Sequence, residues 1–448
     1  MPAAGSMLSA DSPPQFSDPL PGEVDVVVIG GGIIGVSVAW FLRARGQRVA
    51  IVEKGLIGAE QSRRNWGWIR KHGRDRAELP IVIESIEHWR AMAAATDVDI
   101  GFKQSGVLYL ARDEAELESR ARWLDIARDF DLDSRLLSRA ELGGLLHTRQ
   151  PPWIGAAYTA SDARAEPFVA VPAIARVLHG GGVSIIEHCA ARSLELAGGE
   201  VCGVATERGI IRCAAVVCAG GAWTSLFMRH LGHDFPQLTV RATVARTAAA
   251  PALFDGNAAS AELAFRRRAD GGYTLAAAGR LEHFIGADSF RYAMQFLPGL
   301  RRSRKDISLS VRDGVFGRLK PIARWDADST SPFEETRVLN PSPSAPAVAE
   351  IERQVRAQLP ELGAIPIVEA WAGMIDAMPD VVPVMDAIDA VPGCFVAAGF
   401  SGHGFGIGPG AGRVMADMVL GRPLGHDVRR FRFDRFRDGS PVELGPAL

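Results

Sequence analysis

The stretch VDVVVIGGGIIGVSVAWFLRARGQRVAIVEK, residues 24–54, constrains the fold most, because it places a strand, a glycine turn, a helix and a second strand in the order of a βαβ unit. Val24, Val26, Val27, Val28 and Ile29 form a short β-branched run suited to a strand buried on both faces of a parallel sheet. A G-x-G-x-x-G follows. Gly30 permits the tight turn, Gly32 lets backbone N–H groups approach a pyrophosphate, and Gly35 lets the helix pack close to the strand. The phosphates then meet the positive end of the helix. Val49, Ile51 and Val52 make the second strand, and Glu53 stands eighteen residues after Gly35, where a carboxylate accepts hydrogen bonds from an adenosine ribose. An unphosphorylated ribose follows, so the dinucleotide is FAD or NAD.

The rest of the chain is ordinary in bulk. With 448 residues, 47% hydrophobic and 23% charged, it has material for a large core and two domains, and a formal net charge of −2 gives no basic footprint for nucleic acid. Residues 1–22 are rich in Pro, Ser, Ala and Gly, without the charged and apolar regions of a signal peptide, and read as a disordered leader. No later stretch offers the ~18 apolar residues of a spanning helix. Five cysteines, an odd count without metal spacing, read as reduced thiols of a cytoplasmic protein. No metal-ligand cluster is expected.

Residues 54–75 (KGLIGAEQSRRNWGWIRKHGRD) lack apolar periodicity and read as a loop over a cofactor. Leu79, Ile83, Ile86 and Trp89 share a helical face within 77–95; residues 101–111 alternate like a strand, and 113–147 read as helical. From 165 follow a helix ending at glycines 180–182, a strand, a hairpin turning at Gly198 and Gly199, and a buried strand at 215–219 that runs into Gly220, Gly221 and Trp223. Residues 236–370 carry more Arg, Pro and alternating strand patterns, with a surface connection at 340–346. Finally, a strand at 394–398 precedes GFSGHGFGIGPGAG, a second glycine-rich strand-to-helix turn. Two such turns so far apart predict an α/β fold: one discontinuous, Rossmann-like nucleotide-binding domain (23–100, 155–235 and 371–448) with an inserted α+β substrate domain on a mainly antiparallel sheet (101–154 and 236–370). The cofactor would lie at their interface, where pockets commonly form.

GGGIIG with Glu53, AEQSRRNWG, VVCAGGAW and GFSGHGFGIGP together resemble the D-amino acid oxidase superfamily of flavoproteins, which includes glycine and sarcosine oxidases and amino acid dehydrogenases. KGLIGAEQS, CAARSLELAGGEVCGVATERG, GAWTSLFM, FRRRADGGY, SPFEETR and WAGMIDAMPD further resemble the bacterial L-amino acid deaminases, so the likeness covers nearly everything after residue 24. The resemblance implies that the nucleotide domain is a glutathione-reductase-like FAD-binding domain, with the FAD bound non-covalently. It puts the phosphates on the turn of Gly30, Gly32, Ile33, Ile34 and Gly35, the ribose on Glu53, and Lys54 at the adenosine end. Gly58, Ser62, Asn65 and Gly67 would face the pyrophosphate and flavin, Ala191 the adenine, and Ala219, Gly220 and Trp223 the same cofactor. Gly402, His403, Gly404 and Phe405 would lie by the pyrimidine edge, where a helix N-terminus favours anionic reduced flavin.

An α-carboxylate calls for the planar fork of an arginine, and the resemblance gives that place to Arg266. Strand alternation sends Arg266 and Arg268 to one face and Arg267 to the other; a solvated strand-edge arginine is the alternative. The chain also departs from the deaminases. Their N-terminal membrane helix has no counterpart, which argues against membrane attachment and delivery of electrons to a quinone, and Thr243 and Val244 match poorly where their polar residues approach substrate. His403 replaces an aromatic residue and Asp376 a small apolar one, which implies a more polar pocket and a substrate with a second amine or a polar side chain. Both residues are catalytic candidates, His403 for amine deprotonation, against the plainer reading of each as a structural hydrogen-bonding residue.

The expected function is FAD-dependent oxidation of an amino acid: hydride passes from the α-carbon to flavin N5, and the imino acid hydrolyses to a 2-oxo acid and ammonia. Alternatives are oxidation of a D-amino acid or of a sarcosine-like, opine-like or cyclic secondary amine, or a FAD-binding subunit of a larger amine dehydrogenase. The electron acceptor, oxygen or a quinone or other carrier, stays open, as does a homodimer.

Overall fold

The computed structural model describes residues 7–149, 151–311, 316–318, 322 and 324–445. Val26–Ile29 lies within a six-stranded sheet, between Val49–Val52 and Ala215–Cys218, with Ser184–Ile186, Cys394–Ala398 and Val384–Ala387 completing it. Every pairing is parallel except that of Val384–Ala387 with Cys394–Ala398. Strands rich in Val, Ile and Ala suit this position, since helices or further sheet cover both faces. Helix Ile33–Ala44 packs on one face beside helix Gly404–Val419. The glycines of the second turn make that approach close: a Cβ at Gly412 would lie 2.5 Å from the carbonyl carbon of Ser37, and one at Gly410 2.4 Å from the Ile81 oxygen. They serve helix packing.

The second, ten-stranded sheet is mainly antiparallel. Its centre is Leu238–Thr247, which pairs along its length with the long strand Ile367–Ala377, and helix Ala345–Gln358 covers one side. Two boundaries differ from expectation. Gly155–Thr159, assigned above to the FAD-binding domain, pairs with Val107–Ala111 and Ser134–Ser138 in this sheet, and Ile367–Ala377 runs across the expected boundary at 371. The sequence GAAYT holds too little apolar alternation to announce a sheet. The reading of 113–147 as helical is likewise interrupted by Ser134–Ser138, an edge strand in which Leu137 is the one buried residue and so leaves no period-two signal.

The expected disordered leader is also corrected. Residues 1–6 lie outside the described residues, but Leu8 is 3% exposed and Phe16 4% exposed. The buried Glu187 carboxylate accepts the N–H groups of Gln15 and Phe16 at 2.5 and 3.0 Å, and Ser17 bridges Ile186. A Pro- and Ser-rich composition hides this, because two apolar residues and a distant acid supply the anchorage. Among the described residues no helix is long and apolar enough to cross a membrane, and no group of His, Cys, Asp and Glu could hold a metal ion.

Candidate active site

The two sheets meet around one cavity of about 980 Å³. Its walls include the first glycine turn, the loop after Glu53, the Gly220–Trp223 turn, the N-terminus of helix Gly404–Val419 and the end of strand Ile367–Ala377.

The glycine turn has the shape FAD requires. A Cβ at Gly30 would sit 2.5 Å from the Ala219 oxygen, and one at Gly35 1.9 Å from the Gly30 oxygen, so both positions exclude a side chain for reasons of fold. Gly32 differs: its Cβ would meet only Ser62 Oγ, at 3.1 Å, so its bare backbone faces the cavity. Ser62 Oγ in turn accepts the Ile33 N–H at 2.9 Å. Beyond the turn, Glu53 is half-buried and accepts the N–H groups of Gly31 and Gly55, each at 2.7 Å. Burial raises its pKa, against the pull of Lys54 and these donors, and fixes an acceptor at the end of its strand where a ribose would reach. The residues present fit FAD.

Ile33, Ile34, Lys54, Gly58, Asn65 and Ala191 line the same cavity, as do Ala219, Gly220, Trp223, Gly402, Gly404 and Phe405. Lys54 has a second occupation: its Nζ lies 4.3 Å from the Trp223 ring centroid and donates to Glu60 and to the carbonyls of Thr336 and Arg337. Gly35 and Gly67 do not line the cavity. Gly67 is needed for packing, since its Cβ would meet the Ala165 oxygen at 2.4 Å and Arg266 Nε at 2.9 Å.

Arg266 is the principal correction. It is 1% exposed, and its guanidinium is committed to protein acceptors: Nε to the Trp66 carbonyl at 2.6 Å, Nη1 and Nη2 to the two Glu166 oxygens at 2.8 and 3.0 Å. Burial would raise the Glu166 pKa, but the Arg266 charge and hydrogen bond overcome it and hold the acid at about 2. Arg266 is absent from the cavity wall, so the bidentate contact expected for substrate is made to Glu166. Arg268 pairs with Asp270 and Arg241 with Glu282.

His403 and Asp376 do reach the cavity. His403 Nδ1 lies 3.0 Å from Glu78 Oε1, both side chains are buried, and the buried Nε2 has no hydrogen-bond partner among the described residues. Asp376 accepts the Gly399 N–H at 2.9 Å, with Gln237 Nε2 at 3.5 Å; burial pushes its pKa up to about 7 despite the opposing backbone donors.

Sequence reasoning missed Glu78 and a basic, aromatic part of the same cavity. His72 stacks between Tyr109 and Trp123, with ring centroids 4.3 and 4.1 Å apart, and burial together with Arg70 and Arg120 keeps its pKa well below the usual value. Arg70 and Arg120 each place Cζ 5.6 Å from the Tyr109 ring centroid. Arg74 is 5% exposed, and its Nε and Nη1 have no hydrogen-bond partner among the described residues. The run RKHGRD inside a loop already assigned to the cofactor was the available signal.

Comparison with known proteins agrees with this geometry. Residues 25–418 match the family model DAO, FAD dependent oxidoreductase. The structure of L-amino acid deaminase from Proteus myxofaciens, in complex with anthranilate, aligns with a TM-score of 0.90 at 31% identity, covering 95% of this chain and 96% of that one. Sarcosine oxidase subunit beta of Rhizobium meliloti is 24% identical over 95% of this chain and 91% of its own length. The 4-methylaminobutanoate oxidase (formaldehyde-forming) of Paenarthrobacter nicotinovorans is 25% identical over 97% of this chain, which spans 48% of that protein. The chain thus belongs to the DAO family of FAD-dependent oxidoreductases, whose members act on amino acids and amines.

Proposed function

We propose that this protein oxidises an amino acid to its imino acid, which water converts to a 2-oxo acid and ammonia. The observation that carries the reading is one cavity shared by a turn that fits FAD and by arginines that have no carboxylate partner among the described residues. FAD, when bound, supplies the acceptor for the hydride leaving the substrate α-carbon.

The side chains of the cavity have three tasks. Arg70, Arg74 and Arg120, rather than Arg266, bind the carboxylate and orient the α-carbon. Glu78 takes the Nδ1 proton of His403 as a hydrogen bond, which leaves the Nε2 lone pair toward the cavity to accept a proton from the substrate ammonium. A neutral amine then assists departure of the hydride. Trp66, Trp68 and Tyr109 line the chamber with aromatic surface that limits access of water.

Aerobic or acceptor-coupled turnover should release 2-oxo acid and ammonia in equal amounts. Absence of both with every amino acid tried would overturn the reading. The names of the sarcosine and 4-methylaminobutanoate enzymes favour a second reading, oxidation of an N-methyl amine, which would release formaldehyde instead.

A further inference from the structure

We infer that the substrate carries two carboxylates, received by Arg70, Arg74 and Arg120. This rests on the chamber being the place where the amine is oxidised, and it adds the class of substrate.

A single α-carboxylate is satisfied by one guanidinium in a bidentate contact. Five arginines line the cavity: Arg64 donates to Asn340 and to the carbonyls of Ala59 and Ala372, and Arg76 pairs with Asp129, which leaves Arg70, Arg74 and Arg120. Among the described residues Arg74 Nε and Nη1 and Arg120 Nε are buried and unpartnered. Arg70 donates to the His72 carbonyl and shares the Tyr109 ring with Arg120. Three arginines buried elsewhere are neutralised by acids: Arg266 by Glu166, Arg268 by Asp270 and Arg435 by Asp380.

The acids nearby are occupied. Asp162 accepts the backbone N–H groups of Lys71 and His72, with Lys71 Nζ 3.9 Å away, and Asp75 accepts the Ala77 N–H and faces Arg430 at 3.9 Å. Asp306 also lines the cavity, but among the described residues no ion pair joins any acid to Arg70, Arg74 or Arg120. Desolvating several like charges together is unfavourable unless anions enter with the ligand. A substrate with one carboxylate leaves that imbalance standing; a second carboxylate removes it. The chamber therefore favours acidic over basic amino acids, the reverse of what Asp376 suggested, since Asp376 is turned to the Gly399 N–H and Gln237.

The test begins with calorimetric titration of the FAD-loaded enzyme with glutarate and with its monoamide, neither of which it can oxidise as an amine. Glutarate should bind about 10-fold or more tightly, the worth of one added charge-assisted contact, and Arg120→Gln and Arg74→Gln should each shrink the ratio toward one. Arg120 is half-exposed on helix Glu114–Asp129, so that variant is the one expected to fold unaltered. Equal affinities for the two ligands overturn the inference. Anaerobic flavin reduction by glutamate against glutamine, and by iminodiacetate against sarcosine, then separates the two levels. A glutarate preference with no reduction by any amine sinks the oxidation reading and leaves the dicarboxylate site. Reduction by the neutral members as effective as by the acidic ones, with equal glutarate and monoamide affinities, does the opposite.

Discussion

The two halves of the cavity are built on opposite terms. On the dinucleotide side the polar groups are held by the protein around them: Glu53 by the N–H groups of Gly31 and Gly55, the Ile33 N–H by the Ser62 hydroxyl, and the turn itself by contacts that exclude a Cβ at Gly30 and Gly35. On the proposed substrate side polar groups are left over: Arg74 Nε and Nη1, Arg120 Nε and His403 Nε2 are buried without partners among the described residues. Leaving buried donors unpaired costs free energy, and it is kept where a ligand completes the set. Under the function proposed above, the difference separates a site that fixes its cofactor from one that selects among small molecules.

The sharpest way to break the comparison is at Gly32. Gly32→Val should leave the fold intact, because the added Cβ meets only Ser62 Oγ, and yet abolish FAD retention by filling the approach to the pyrophosphate. Far-ultraviolet circular dichroism and flavin content measure the two effects. Gly35→Val, whose Cβ would overlap the Gly30 oxygen, should instead lose fold and flavin together.

Arg266→Ala comes next. As a structural partner of Glu166, Arg266 should cost about 3–5 kcal/mol of stability when removed, the figure for breaking a buried ion pair, read as a shift in thermal unfolding. A raised Michaelis constant at unchanged stability would restore the substrate role. The pH sign follows from the depressed Glu166 pKa: the pair's contribution is present above the ordinary carboxylate value near 4.5 and is lost as pH falls through about 2.

Loss of the His403 proton acceptor should slow flavin reduction about 10²-fold or more at neutral pH in His403→Asn, the range for a general base. Glu78→Gln should produce a smaller loss and shift the pH profile, since it acts through the orientation of His403. The smallest effect belongs to Asp376. With a pKa near 7, it is protonated below that pH and charged above it; Asp376→Asn should therefore match the wild-type rate in the acid range and remove any limb of the rate profile centred near pH 7.

What the sequence made legible divides along the same line. The cradle is a local object: a strand, three glycines and an acid at fixed spacing carry its chemistry, and Gly30, Gly32 and Glu53 stand where that spacing put them. The chamber is assembled from Arg74, Tyr109, Arg120, Asp376 and His403, which meet only after the second sheet folds against the first. Alternation along Leu263–Arg267 separates Arg266 from Arg267 but does not say which face is buried, and no one-dimensional pattern reveals that Glu166 stands there to neutralise Arg266. The leader failed for the same reason, because the distant Glu187 holds it.

Anaerobic titration of the FAD-loaded protein with a panel of L- and D-amino acids and N-methyl amino acids tests the central claim most directly. The account predicts that at least one amino acid bleaches the oxidised flavin band stoichiometrically, with the matching 2-oxo acid recovered from the mixture. A flavin that stays oxidised against the whole panel would contradict it.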